Sequence, residues 1–254
     1  MLPDLQIGPW RLSTYALAYV LAALASDAAS VLRLRRLGLP HLVVLRIVLV
    51  VTLLGFAGAY LVRVVPTVQR GLQTGLWQWY GGSSYIGGLL AGIGALALLC
   101  RWQRIPVARA LDAVLPTLAL AQAVGRLGCF AAGCCYGRPT TSWLGVFLPD
   151  NAGNWAVRYP TQLLSAGANL LIFGLLLAVE RRFTVRRDGV LAVLYVALYC
   201  LERLINEALR ADAVPLLHAA GAALSWAQLY TLVGLALALG WLAWQFARGN
   251  NARA

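Results

Sequence analysis

The chain has 254 residues, 61% of them hydrophobic and only 12% charged, a balance that excludes a soluble globular domain. Its formal net charge of +12 comes from 21 basic residues, all arginine. Most of these flank apolar runs, where they read as topology signals resting on anionic headgroups, so nucleic acid is excluded as a partner.

Runs of roughly 20 apolar residues, the length that crosses a bilayer, recur along the whole sequence. They predict membrane helices over 12–32, 42–62, 83–100, 110–126, 160–180, 189–206 and 222–246, the fourth interrupted by Pro116. The expectation is an all-α integral membrane protein: one domain over 1–254 with seven transmembrane helices and an external loop or arm near 141–159. The first run lacks a preceding basic segment and is followed by "RLRRLG", so it reads as a retained helix, not a cleaved signal peptide. Asp27, near its end, is expected to pair with Arg33. Trp77, Trp79 and Tyr80 predict an interfacial aromatic belt. "YGGSSYIGGLLAGIGA" predicts a small-residue face for close helix packing.

On this reading thirteen arginines fall on one side of the membrane, among them Arg33, Arg35, Arg36, Arg101, Arg104, Arg181 and Arg182, and eight on the other. The positive-inside rule then puts the N-terminus outside and the C-terminus in the cytoplasm. The eight external arginines need another explanation, because an ionised group beside apolar helix is costly unless paired or hydrated. In "YCLERLINEALR", Tyr199, Arg203, Glu207 and Arg210 follow i, i+4, i+8, i+11 spacing and lie within about 80° on one helix face, with Glu202 flanking them. Such a stripe faces protein or a water-filled cavity. It is either an Arg203–Glu207 pair joining helices or an anion site built from guanidinium forks suited to phosphate. Arg126, set among Gly125, Gly128, Gly133 and Gly137, favours the anion site. Two arginine clusters at the outer leaflet point to a phospholipid headgroup.

The segment holding Arg126, "GRLGCFAAGCCYGRPT", resembles the signature of prolipoprotein diacylglyceryl transferases, approximately G-R-x-G-N-F-x-N-G-E-x-Y-G-R-P-T. The likeness extends over most of the chain. "LQIGPWRLSTYALAYVL" is similar to the family's N-terminal segment, with Tyr15 at its helix-1 tyrosine. "GGSSYIGGLLAG" resembles G-G-x-S-F-H-G-G-L-x-G, and "RYPTQLL" resembles R-H-P-[ST]-Q-L-Y-E. "LYCLERLINEALRAD" is similar to Y-x-x-x-R-F-x-x-E-x-x-R, and "LSWAQL" echoes a late T-x-x-Q.

The resemblance implies transfer of a diacylglyceryl group from phosphatidylglycerol to the thiol of a lipobox cysteine in a secreted precursor, at the outer face of the bacterial cytoplasmic (inner) membrane. It implies Arg126 and Arg203 as holders of the lipid phosphate. Tyr15, Tyr199, Glu207 and Arg210 fall at matching positions, as does Gln162; Gly128 and Tyr159 join them as candidate substrate contacts. No cofactor or metal is implied. The departures are equally specific. Ile86 stands where the family pattern has histidine, Cys129 and Ala132 where it has asparagines, and Cys134 where it has glutamate. Tyr159 replaces histidine, and Ser165 replaces glutamate. The lipid-handling arginines are kept while the acceptor-activating groups change. The acceptor is thus a lipobox protein or another thiol- or hydroxyl-bearing molecule.

Cys129, Cys134 and Cys135 form C-x4-C-C. This spacing is short of a four-ligand zinc pattern, and of the two histidines only His218 falls on the same side. A disulfide, a thiolate with its pKa lowered by neighbouring arginines, and small-residue packing all remain open, with Cys129 and Cys134 candidates for a catalytic role. Cys100 and Cys200 read as packing residues. The leading expectation is a phosphatidylglycerol-dependent diacylglyceryl or related glyceryl transferase. The alternatives are a membrane thiol-redox protein and a lipid-binding pseudoenzyme.

Overall fold

A computed structural model describes residues 4–77, 84–150, 152–182, 188–211, 215–219 and 222–251. Trp79, Tyr80, residues 81–83, Arg186, Arg187 and the side chain of His218 lie outside the described residues. Eight helices are present among the described residues: α1 (Thr14–Arg35), α2 (His41–Leu61), α3 (Val64–Thr74), α4 (Tyr85–Trp102), α5 (Val107–Ala132), α6 (Thr161–Arg182), α7 (Val190–Leu209) and α8 (Trp226–Asn251). Six spans are long and apolar enough to cross a membrane: α1, α2 continued by α3, α4, α5, α6 and the Trp226–Gln245 part of α8. Many of their large apolar side chains are exposed, Leu42 by 79% and Leu171 by 76%, as lipid-facing surface requires. The protein is therefore a multi-pass membrane protein.

Each apolar run predicted from the sequence coincides with a helix. α5 continues unbroken through Pro116, as membrane helices tolerate when neighbouring groups satisfy the freed carbonyl. α7 has the length of a span, but Glu202, Arg203 and Glu207 are too many charges for it to stand among the six. α3 was not anticipated. Its apolar positions, Val64, Val65, Val68 and Leu72, alternate with Gln69, Arg70 and Gln73 in an amphipathic pattern too polar for a span.

Also unanticipated are three antiparallel hairpins: β1 (Asp4–Ile7) with β2 (Trp10–Ser13), β3 (Val146–Pro149) with β4 (Trp155–Arg158), and β5 (Pro215–Ala219) with β6 (Ala222–Ser225). β1 and β2 turn at Gly8, whose φ of 60° needs glycine. The β3–β4 turn is closed by Asp150, which accepts from the backbone N–H groups of Ala152 and Asn154, both at 2.9 Å. It lies inside the segment expected to be an external arm.

The chain divides into two compact units, 27–114 and the pair of segments 1–26 and 115–254. In the first, α2 and α4 meet through glycines: a Cβ on Gly58 would lie 2.3 Å from that of Ala91 and 2.7 Å from the Gly87 carbonyl oxygen. This is the predicted small-residue contact. Leu34, Val44, Ile47, Leu96 and Cys100 form its core. The expected Asp27–Arg33 pair does not form. Asp27 accepts instead from Thr52 Oγ1 at 2.8 Å, and Arg33 donates to the carbonyls of Ala113 and Asp112, each at 2.8 Å. A guanidinium can reach those carbonyls and replace its hydration there, whereas the Asp27 carboxylate is already held by α2. Ile86 belongs to this unit. In the second unit, α7 packs against both α6 and α8, and Ser26 and Thr117 hydroxyls bond at 3.0 Å between α1 and α5.

Candidate active site

The polar face of α7 is buried along its length: Tyr199, Glu202, Arg203, Asn206 and Glu207 are all inside the protein. Arg203 Nη2 lies 2.6 Å from Glu207 Oε2, and Arg210 Nη1 reaches the same oxygen at 3.6 Å. Glu207 Oε1 accepts from Ser225 Oγ at 3.0 Å. Ser225 is held in turn by a reciprocal cap at the start of α8, where its backbone N–H donates to Gln228 Oε1 at 2.9 Å and its Oγ accepts from the Gln228 N–H at 3.2 Å. The "LSWAQL" segment therefore fixes the serine that holds Glu207.

Glu207 thus balances part of the charge of two arginines, and the i, i+4 pair foreseen in the sequence exists. It does not exhaust Arg203. Its Nη1 is buried and has no hydrogen-bond partner among the described residues, and the same holds for Glu202 Oε2 and Gln162 Oε1. Buried polar atoms are rarely left unmatched, so each of these three has capacity for a water or another molecule.

Arg126 occupies the last turns of α5. It forms no ion pair among the described residues; its electrostatic neighbours are Cys135, Cys129, Tyr199 and Glu202. Tyr199 also stacks on Tyr195, with centroids 5.9 Å apart. Tyr15, in the first turn of α1, lies within electrostatic reach of Cys129, Cys134 and Cys135 and packs on Tyr19 at 5.3 Å. One unit therefore gathers Tyr15, Arg126, the three cysteines, Tyr199, Glu202, Arg203, Glu207 and Arg210 from α1, α5, α7 and the loop after α5.

That loop is pinned from two sides, by the head of α6 and the end of α7. Gln162 Nε2 donates to the Cys134 carbonyl at 2.8 Å, and Thr161 Oγ1 to the Cys135 carbonyl at 2.7 Å. The Ala211 N–H donates to the Tyr136 carbonyl at 3.1 Å, and the Arg138 N–H to the Leu209 carbonyl at 2.9 Å, while the Arg138 side chain donates to the Ala208 carbonyl. These bonds also satisfy carbonyls at the end of α7. Gln162, expected as a lipid contact, is wholly buried and acts as an anchor of the cysteine loop. Gly128 serves the close approach of α1 to α5, since a Cβ there would lie 2.3 Å from that of Ala18. Tyr159 is half-buried, and its backbone N–H donates to the Arg138 carbonyl at 3.1 Å.

All five cysteines are free thiols, so the disulfide considered from the sequence is not formed. The Sγ atoms of Cys129, Cys134 and Cys135 lie within 4.8 Å of one another. Cys135 has φ 61°, a left-handed conformation that costs a non-glycine residue about 1–2 kcal/mol. Hydrogen bonds from the Cys129 and Cys134 thiols, with Arg210 and Arg126 nearby, hold the Cys135 thiol far below the usual thiol range. The Cys134 thiol is pushed up by its bonds to Cys129 and Cys135 and by burial.

A family model described as prolipoprotein diacylglyceryl transferase matches residues 4–244. The chain belongs to the prolipoprotein diacylglyceryl transferase family. Among similar members, one from Clostridium tetani is 38% identical over 132 residues, 50% of this chain and 51% of the relative. One from Nostoc sp. is 32% identical over 179 residues, 67% of this chain and 62% of the relative. One from Prochlorococcus marinus is 29% identical over 239 residues, 83% of this chain and 79% of the relative. All three are named phosphatidylglycerol–prolipoprotein diacylglyceryl transferases. The chain thus spans about half to three fifths of the length of the first two.

Ser165 on α6, expected from the resemblance to stand where the pattern has a glutamate, donates through its Oγ to Glu202 Oε1 at 2.5 Å, so α7 brings a carboxylate to that position. Asn206, whose Nδ2 donates to the Thr161 carbonyl at 2.9 Å, completes the polar seam between α6 and α7. Neither Asn206 nor Ser225 was singled out from the sequence. Asn206 lies seven residues after Tyr199, two helical turns along the face already identified, and that spacing was the available signal.

Proposed function

We propose that this protein transfers a diacylglyceryl group from phosphatidylglycerol to a cysteine thiol of a secreted precursor, at the outer face of the bacterial inner membrane. Family membership supports the reaction class. The observation that carries the site is the buried Nη1 of Arg203, without a hydrogen-bond partner among the described residues, together with Arg126, which forms no ion pair among them and has Glu202 only as an electrostatic neighbour. Two such guanidinia suit a phosphate diester whose leaving group gains charge as the glyceryl C–O bond breaks.

In this reading the acceptor thiol gives its proton to water, and its sulfur attacks the glyceryl carbon next to the phosphate. The C–O bonding pair passes to the phosphate oxygen, and glycerol phosphate departs against the two arginines. Glu207 and Ser225 hold Arg203, and with α7 proposed as a seventh crossing the site would lie near the membrane surface. The N-terminus then faces outside and the C-terminus the cytoplasm.

The test is transfer from radiolabelled phosphatidylglycerol to a lipobox peptide by purified protein in detergent. Arg126→Ala and Arg203→Ala should each lower the rate by about 10²–10³, the usual effect of removing one charge-stabilising donor. Label that never reaches the peptide, with phospholipid still bound, would identify a lipid-binding protein without transferase activity and overturn the reading.

A further inference from the structure

The thiol cluster is not explained by holding a phosphate. Cys129 comes from the last turn of α5, whereas Cys134 and Cys135 come from the loop beyond it, and adjacent residues do not ordinarily aim their side chains at one point. Here the left-handed backbone of Cys135 and the anchors of Thr161 and Gln162 on the two carbonyls bring all three Sγ atoms within 4.8 Å. A disulfide would use two of them and leave the third. A single thiophilic ion uses all three: Zn–S bonds of about 2.3 Å put tetrahedral sulfurs about 3.8 Å apart, a small contraction from the arrangement present.

Charge points the same way. Three thiolates on a divalent ion carry a net −1, and Arg126 and Arg210 are electrostatic neighbours of Cys135, Arg126 also of Cys129. Three protein ligands with one position left open is the pattern of ions that act on a ligand, not of purely structural ones.

We infer that Cys129, Cys134 and Cys135 bind a thiophilic divalent ion such as zinc through three thiolates, and that its fourth position takes the acceptor thiol. This second part rests on the transferase reading. The acceptor binds the ion as its thiolate and its proton goes to water. A sulfur lone pair then forms the new S–C bond as the glyceryl C–O bond breaks toward phosphate, and the resulting thioether, a poor ligand, dissociates. A metal-held thiolate needs no side-chain base.

The experiment is equilibrium dialysis of the reduced, purified full chain in detergent against Zn²⁺ or Co²⁺ alone. We expect one ion per chain and Co²⁺–thiolate charge-transfer absorption. Affinity should fall at least tenfold in each of Cys129→Ser, Cys134→Ser and Cys135→Ser, and be unchanged in Cys100→Ala/Cys200→Ala. In the unsubstituted protein, bound Zn²⁺ should protect the three thiols from maleimide as read by peptide mass spectrometry, which removes dependence on how the variants fold. Sub-stoichiometric binding, binding retained in the triple serine variant, or absence of protection would overturn the site. Full-rate transfer by chelated, metal-free protein would overturn the activating role. A metal-loaded protein that binds the ion as described but transfers nothing would instead refute the transferase reading.

Discussion

Arg203 and Glu207 form a buried ion pair whose contributions to folding and to chemistry can be separated by substitution. With side-chain exposures of 10% and 5%, neither charge has appreciable access to water. Glu207→Leu strands Arg203 and removes the acceptor of Ser225 Oγ. Leaving a buried charge without its partner costs about 3–5 kcal/mol, equivalent to a fall of about 6–20 °C in Tm for a chain of this size. Arg203→Met is milder, because Glu207 keeps Ser225 at 3.0 Å and Arg210 at 3.6 Å.

The double variant Arg203→Met/Glu207→Leu removes both members of this α7 pair and no longer strands Arg203. Its residual costs are the Ser225 hydroxyl, about 1–3 kcal/mol, and the loss of the Glu207 carboxylate from Arg210. Glu207→Leu carries both as well, so the double variant should melt at a higher temperature than Glu207→Leu alone. On the proposed function it should also lose transferase activity, because the guanidinium proposed to hold the phosphate is removed. Thermal unfolding in detergent, followed by circular dichroism, gives the coupling energy, and the lipobox-peptide assay gives the rate. A double variant that melts as low as the sum of the singles would refute the paired arrangement. One that transfers at the unsubstituted rate would refute the role of Arg203.

Gly137→Ala should disable the site from the loop side. The new Cβ would fall 2.3 Å from the Tyr159 carbonyl oxygen and 2.7 Å from its Cβ, backbone that cannot yield. Overpacking of this kind costs about 1–3 kcal/mol, and the bridge between Gly137 and Arg210 should open, with a fall in transfer rate exceeding the loss in Tm. The β3–β4 hairpin should be acid-sensitive. Asp150 is held below the usual carboxylate range first by the Asn154 backbone N–H, then by the Asn154 side chain, Ala152 and Arg158. A depressed folded pKa stabilises above the ordinary value of about 3.9 and is lost as pH falls below it. Pepsin cleavage within residues 146–158 should therefore rise as pH is lowered through that window, and Asp150→Asn should be cleaved without that dependence. Cleavage independent of pH in the unsubstituted protein would sink the assignment.

The membrane helices were legible because apolar length alone dictates them: 42–62 became His41–Leu61 and 160–180 became Thr161–Arg182. The arginine stripe of α7 was legible from its spacing. What escaped has physical reasons. α3 and the hairpins are too short or too polar to stand out against long apolar runs. Asp27 found Thr52 on α2, a long-range partner invisible to local charge pairing. The convergence of Cys135 with Cys129 depends on a left-handed φ and on anchors from residues 161 and 162, and no periodicity encodes either. Glu202, a flank in the sequence, became the partner of Ser165 only once α6 and α7 were side by side.

The burden of charge on α7 has a consequence for how the chain is made. On insertion scales an arginine near the centre of a helix opposes entry into the bilayer by up to about 3 kcal/mol, and α7 brings Arg203 with Glu202 and Glu207. Its partners for those charges are Ser165 on α6, synthesised before it, and Ser225 at the head of α8, synthesised after it. As the proposed seventh crossing, α7 would depend on these neighbours for its place in the membrane. A nascent chain released before α8 should hold α7 poorly integrated and open to quality-control proteolysis, so the serines that hold the buried carboxylates also set the order in which the last three helices assemble.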